Sequence, residues 1–245
     1  VLSCQIFAHG GVMTGMHDLK VIDTTYFDII YPPESEETAC LVASRVDGLY
    51  ESICADLHEE PWLRMPITIT PIRDQLNAYF TPAYYNMIVL YDTVPTETIA
   101  VFKDNIINVL YHELVHAVTM NMKSTLLKKY SKTFGDLISF SYITAPLSVL
   151  EGTAVAFESK SGEGRLNDPF STQIVKQGKL EGKFPSYTNT FYARDIYPMG
   201  AVPYVIGGSF ITWLYDTYGG DTFTSYWRTI VSLSDNYAIS KKEIG

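Results

Sequence analysis

The chain has 245 residues, 47% of them hydrophobic and 18% charged, enough apolar material to bury a full core as one domain or as two lobes. A net charge of −9 argues against a nucleic-acid partner, because binding phosphates needs a basic surface. No uninterrupted apolar run reaches the length of a transmembrane segment, and no repeat or low-complexity tract is visible.

In chain order, the apolar start Val1-Leu-Ser-Cys-Gln-Ile-Phe-Ala-His-Gly10 reads as the tail of a signal peptide, with small residues near a cleavage step. A buried N-terminal strand and a cloning remnant are the alternatives, and Leu2-Ser-Cys4 weakly resembles a lipoprotein box. Residues 18–31 read as one strand closed by Pro32-Pro33, and residues 36–57 as a long helix. Cys40 and Cys54 fall in that helix about 21 Å apart along its axis, beyond disulfide reach. They read as small buried residues on one face. Residues 66–71 and 86–91 read as strands, the second rich in β-formers.

The run 102–122 has no proline or glycine, and Asp104 is placed to cap it as a helix. At 100° per residue, Ile107, Leu110, Leu114 and Val118 form one narrow apolar stripe. Further helices are expected over 146–159, 170–180, 202–218 and 221–233, with loops at 161–164 and 178–187. The expected architecture is α+β. Residues 1–19 form an N-terminal segment, 20–122 an α/β lobe with a small mixed sheet, and 123–245 a helical lobe. The stretch 123–140 reads as an inserted loop or helix at a cleft rim, and the ending Glu243-Ile-Gly245 suggests a piece of a longer protein.

Chemistry concentrates in His112-Glu113-Leu114-Val115-His116. Histidines four apart on a helix rise by about 6 Å and share a face, so both imidazoles can grip one metal ion. The intervening Glu113 sits where a carboxylate can take a proton from water, which is the zinc-peptidase arrangement. His112 and His116 lie opposite the apolar stripe, with Glu113 beside them. A catalytic zinc needs a third protein ligand and leaves one position open. No histidine or cysteine follows His116, so the third ligand must be a carboxylate, which excludes the three-histidine metzincin pattern. Glu151, in Pro146-Leu-Ser-Val-Leu-Glu-Gly-Thr-Ala154, projects from the first turns of the expected second helix. Gly152 and Ala154 are small enough to let that helix approach the His helix. Glu158, two turns further along nearly the same face, is about 10 Å from Glu151 and too far to replace it.

Tyr-His-Glu-Leu-Val-His-Ala117 with the downstream Leu-Glu-Gly-Thr-Ala154 resembles the gluzincin branch of zinc peptidases, and in particular the bacterial peptidase MA-like group. The segment Gly200-Ala-Val-Pro-Tyr-Val-Ile-Gly-Gly-Ser209, with its continuation to Gly219, is similar to the gluzincin stretch that carries a catalytic tyrosine before a helix. Asn77-Ala-Tyr79 with Tyr85-Asn-Met-Ile-Val-Leu-Tyr91 resembles the strand pair preceding the His helix in that group. The resemblance covers roughly residues 20 to 235. It implies a zincin-like fold, one catalytic Zn2+, a peptide or protein substrate, an extracytoplasmic or secreted location, and Tyr204 as the transition-state tyrosine. Tyr192 and Tyr197 are the rival tyrosines. Two features depart from the family pattern. The 34 residues between His116 and Glu151 exceed the spacing in thermolysin-like enzymes and aminopeptidases. No Gly-Ala-Met-Glu-Asn element, which anchors a substrate amino terminus in aminopeptidases, is present.

The roles implied are Glu113 as general base and Tyr204 as donor to the developing oxyanion. The sequence therefore points to a zinc-dependent endopeptidase, with an extended substrate beside the strand 86–91. A catalytically silent binding module and a zinc hydrolase of a non-peptide substrate are the other classes. Intact Glu113 argues against the silent module, which needs no base.

Overall fold

The computed structural model describes residues 18–82, 85–93, 105–122, 129, 133, 145–192 and 202–230. They form an α+β fold in which a small mixed five-stranded sheet is followed by helices, as the sequence indicates. Strands β1 (Lys20–Asp23), β2 (Phe27–Tyr31), β3 (Met65–Thr70), β4 (Asn77–Thr81) and β5 (Met87–Tyr91) lie in the order β1-β2-β3-β5-β4. The pairs β2–β3 and β3–β5 are parallel, while β1–β2 and β4–β5 are antiparallel.

Burial follows position in the sheet. Central β3 buries Met65, Ile67, Thr68, Ile69 and Thr70, as a strand covered on both faces must. Strand β2 alternates, with Phe27, Ile29 and Tyr31 buried. Helix α1 (Glu36–Asp56) makes the crossover from β2 to β3 and buries Ala39, Val42, Val46, Tyr50, Ile53 and Cys54, spaced by three or four residues along one stripe. The Tyr50 hydroxyl accepts hydrogen bonds from the backbone N–H groups of Trp62 and Leu63, both at 3.1 Å, and so fixes the approach to β3.

Three expectations change here. The single strand expected over 18–31 is a hairpin, β1 and β2. Its turn is clamped by Asp47 of α1, which accepts from the Thr24 hydroxyl and the Thr25 N–H, each at 2.8 Å. Only Cys54 is buried; Cys40 is exposed, because the two positions do not share the inner stripe of α1. The strand expected as the substrate edge, β5, is paired on both sides, and the free edge beside it belongs to β4.

Helix α2 (Asn105–Met120) carries the His motif and packs against α1, β4 and the next helix, so nearly all of it is buried, including Ile107, Leu110, Leu114 and Val118. Its expected cap, Asp104, lies outside the described residues. Two buried amides seat the C-terminal end of α2 on the sheet: Asn86 Nδ2 donates to Asn121 Oδ1 (3.2 Å), and Asn121 Nδ2 to Asn86 Oδ1 (3.0 Å). The expected rim insertion, 123–140, lies outside the described residues apart from Lys129 and Thr133.

The helical half comprises α3 (Leu147–Glu158), α4 (Pro169–Leu180), α5 (Tyr187–Tyr192), a π-helical turn (Val202–Ile206) and α6 (Gly207–Ile230). The loop expected over 178–187 is shorter, since α4 continues to Leu180 and α5 begins at Tyr187. The two helices expected over 202–218 and 221–233 are found after the π turn as the two arms of α6, which breaks at Gly219, where φ of 80° and ψ of 171° lie outside helical space and suit glycine alone. Gly152 and Gly207 meet backbone to backbone: a side chain on Gly152 would strike the Gly207 backbone, and one on Gly207 would strike Ser148. Gly152 thus admits α6, rather than the His helix expected from sequence. Near the C-terminal end of α6, Trp227 Nε1 donates to the Thr119 carbonyl at 2.6 Å and ties α6 to the end of α2. No helix among the described residues is long and apolar enough to cross a membrane.

Candidate metal centre

Helices α2 and α3 bring His112, His116 and Glu151 together, with one ligand atom from each within 4.8 Å of the others. His112 Nε2 lies 3.2 Å from His116 Nε2, and Glu151 Oε2 lies 3.4 Å from both. Two facing imidazole nitrogens share at most one proton, and once it leaves, three lone pairs converge on one small volume. Two histidine nitrogens and a carboxylate oxygen are the donor set of catalytic zinc sites with one open position, and these residues fit such an ion.

Charge in the cluster favours a cation. Burial pulls the His112 imidazole's pKa down, but hydrogen bonds to Glu151 and Glu158 overcome burial and raise it to about 9. Burial pushes the Glu151 carboxyl up, yet His116 and His112 beside it hold it well below the usual carboxylate range. Without another cation the group holds a proton. Any metal ion that takes its place must displace that proton.

His112 is also held from behind, by a residue that sequence reasoning set aside. Glu158 Oε2 lies 2.8 Å from His112 Nδ1, which assigns the proton to Nδ1 and leaves the Nε2 lone pair facing the cluster. The Glu158 side chain is 1% exposed, and its Oε1 accepts the Arg165 N–H at 3.4 Å. The spacing from Glu151 was the available signal: seven residues on one helix, two turns, return to nearly the same face. That distance rules Glu158 out as a replacement for Glu151, and it places Glu158 behind His112.

Glu113 faces the same cleft and is tied to the sheet. Its Oε2 accepts the Phe80 N–H of edge strand β4 at 2.7 Å, which leaves Oε1 for a second partner. No side-chain pattern could have announced this bond, because its donor is backbone.

The π turn brings Tyr204 to the other side of His112. Their rings stack at 6.4 Å and 29°, and the Arg165 guanidinium carbon lies 5.0 Å from the centre of the Tyr204 ring. Single π turns re-aim a side chain by one extra residue and recur at functional sites. Burial, with the Glu151 and Glu113 carboxylates nearby, pushes the Tyr204 phenol far up. The hydroxyl therefore remains protonated at neutral pH and is a donor. The Tyr192 side chain and Tyr197 lie outside the described residues.

Over 212 residues, 85% of the chain, the sequence is 34% identical to an uncharacterized protein of Treponema pallidum (strain Nichols). The match spans 19% of that protein, so the chain corresponds to about a fifth of its relative's length. No family model matches the chain. Among solved structures, native yeast LTA4 hydrolase is similar with a TM-score of 0.51 and 15% identity over 93% of this chain and 36% of its own. An aminopeptidase N family protein from Idiomarina loihiensis is similar with a TM-score of 0.50 and 13% identity over 92% of this chain and 44% of its own. These likenesses show the fold alone: an α+β architecture like that of the matched portions of those two proteins.

Proposed function

We propose that this chain is a gluzincin-type, zinc-dependent peptidase that cleaves within extended peptides. The observation that carries the reading is the convergence of His112 Nε2, His116 Nε2 and Glu151 Oε2 beside a carboxylate, Glu113, that stands outside this donor group and is anchored to the edge strand. Zinc, when bound, would supply Lewis acidity and make a nearby water more acidic. His112, His116 and Glu151 would hold the ion. Glu113 accepts the proton of the attacking water through the oxygen that Phe80 leaves free, then passes it to the departing amine. The Tyr204 hydroxyl donates to the carbonyl oxygen as negative charge develops there. Excluding bulk water from this buried cluster strengthens each of these interactions.

The edge of β4 suits an extended substrate. Its outer backbone groups can pair with a peptide whatever the side chains, and the bond from Phe80 to Glu113 fixes the base relative to that edge. With no Gly-Ala-Met-Glu-Asn element to capture an amino terminus, N-terminally acetylated peptides are expected to be cleaved as readily as free ones. A strict need for a free amine would restore the aminopeptidase reading.

Replacing the ligands tests the metal assignment. His112→Ala, His116→Ala and Glu151→Ala are each expected to lose most of the bound zinc on dialysis, measured by metal mass spectrometry, while wild type retains one ion per chain. Full retention in Glu151→Ala would remove the third-ligand assignment.

A further inference from the structure

We propose that Arg165 is a positioning residue that couples the metal ligand His112 to Tyr204. The inference rests on the peptidase reading above. It starts from the loop after α3, which doubles back on the end of its own helix. Gly162 and Gly164 both adopt φ of +87°, a conformation that side chains rarely take. A β-carbon on Gly164 would lie 2.8 Å from Ser159 Oγ and 3.0 Å from the Glu158 carbonyl oxygen. Asn167 Nδ2 closes the turn by donating to the carbonyls of Ser159 (2.7 Å) and Glu163 (2.6 Å).

The product of this geometry is the placement of Arg165. Its backbone N–H reaches Glu158 Oε1 at 3.4 Å, and its Nη1 lies 3.7 Å from the same oxygen. The other carboxylate oxygen of Glu158 is the one that holds His112 Nδ1. The same guanidinium covers the Tyr204 ring, and that ring stacks on His112. His112, Glu158, Arg165 and Tyr204 therefore close a circuit of contacts around the donor cluster.

Each link has a physical reason. A carboxylate as buried as Glu158 needs a cation near it, and a planar guanidinium meets that need while stacking on an aromatic face. Lysine brings the charge without the plane. Arginine at this position can thus hold Glu158 aimed at His112 and set the tilt of the Tyr204 ring together.

The test uses Arg165→Gln and Arg165→Lys in the full chain, alone and with Tyr204→Phe. Zinc affinity is read by chelator competition, and kcat and KM on a peptide selected from a library digest. Thermal unfolding checks that each variant is folded. Arg165→Gln is expected to weaken zinc binding about 10-fold, the usual effect of losing support behind a ligand, and to lower kcat with little change in KM. Arg165→Lys should recover the zinc affinity but not kcat. In the Tyr204→Phe background, Arg165→Gln should still weaken zinc binding yet cost kcat little more, since both changes act through one hydroxyl.

A folded Arg165→Gln that keeps both zinc affinity and kcat overturns the proposal, as do kcat losses that multiply in the double variant. If Arg165→Gln does not fold, Arg165→Lys decides: zinc kept with kcat lost supports the coupling, and both kept overturns it. Wild-type protein that takes up no zinc overturns the peptidase reading, and the coupling falls with it. Zinc uptake by wild type that Arg165→Gln leaves unaltered, with kcat unaltered too, removes the coupling and leaves that reading standing.

Discussion

Glu113→Gln is expected to lower peptide hydrolysis by about 10²–10⁴-fold while leaving zinc content unchanged. The substitution suits this site unusually well. Glu113 Oε2 accepts the Phe80 N–H at 2.7 Å, and a glutamine oxygen can accept the same bond. Its amide nitrogen then takes the place of the oxygen that faces the cleft. Shape, packing and the tie to β4 all persist, and only the capacity to take a proton is lost. Because Glu113 is not among the three residues whose donor atoms converge, metal retention separates loss of the proposed base from loss of the site. Metal mass spectrometry and a peptide-library digest on the same preparation make the comparison. Unchanged turnover would show that any activity does not use water activated at this cluster.

What the sequence revealed and what it hid follow from the range of each interaction. The His motif and its helix were legible because His112, Glu113 and His116 lie within five residues, and periodicity alone sets their common face. That the proposed third ligand must be a carboxylate was reachable by elimination, since no histidine or cysteine follows His116. The break at Gly219 was visible as a glycine pair. Strand order was not legible. Residues 86–91 are richer in β-formers than 77–81, yet their apolar run marks an interior strand, and the less apolar β4, with Asn77 exposed, takes the edge. Non-local bonds were hidden for the same reason. Nothing in the spacing of Glu158 or Arg165 says that a loop with two left-handed glycines folds Arg165 back onto Glu158. The hairpin over 20–31 was missed because its turn, Thr24-Thr25-Tyr26, contains no glycine or proline and depends on Asp47 from another element.

The substitution Tyr204→Phe isolates a single hydroxyl. Phenylalanine keeps the ring between His112 and Arg165, so the stack at 6.4 Å and the guanidinium contact at 5.0 Å both survive. What is lost is a proton that burial and the neighbouring carboxylates hold firmly on the phenol. That proton has value only when negative charge develops on the carbonyl oxygen, so its removal acts on the transition state rather than on bound substrate. The expected result is a fall in kcat of about 10²–10³-fold, about 3–4 kcal/mol, with KM and zinc content little changed. Tyr192→Phe and Tyr197→Phe, made in parallel, should retain near-normal kcat. A Tyr204→Phe enzyme with normal turnover beside an inactive Tyr192→Phe or Tyr197→Phe would transfer the donor role to that tyrosine. Full activity in all three would remove these tyrosines from the donor role and leave carbonyl polarisation to the ion alone or to a different donor.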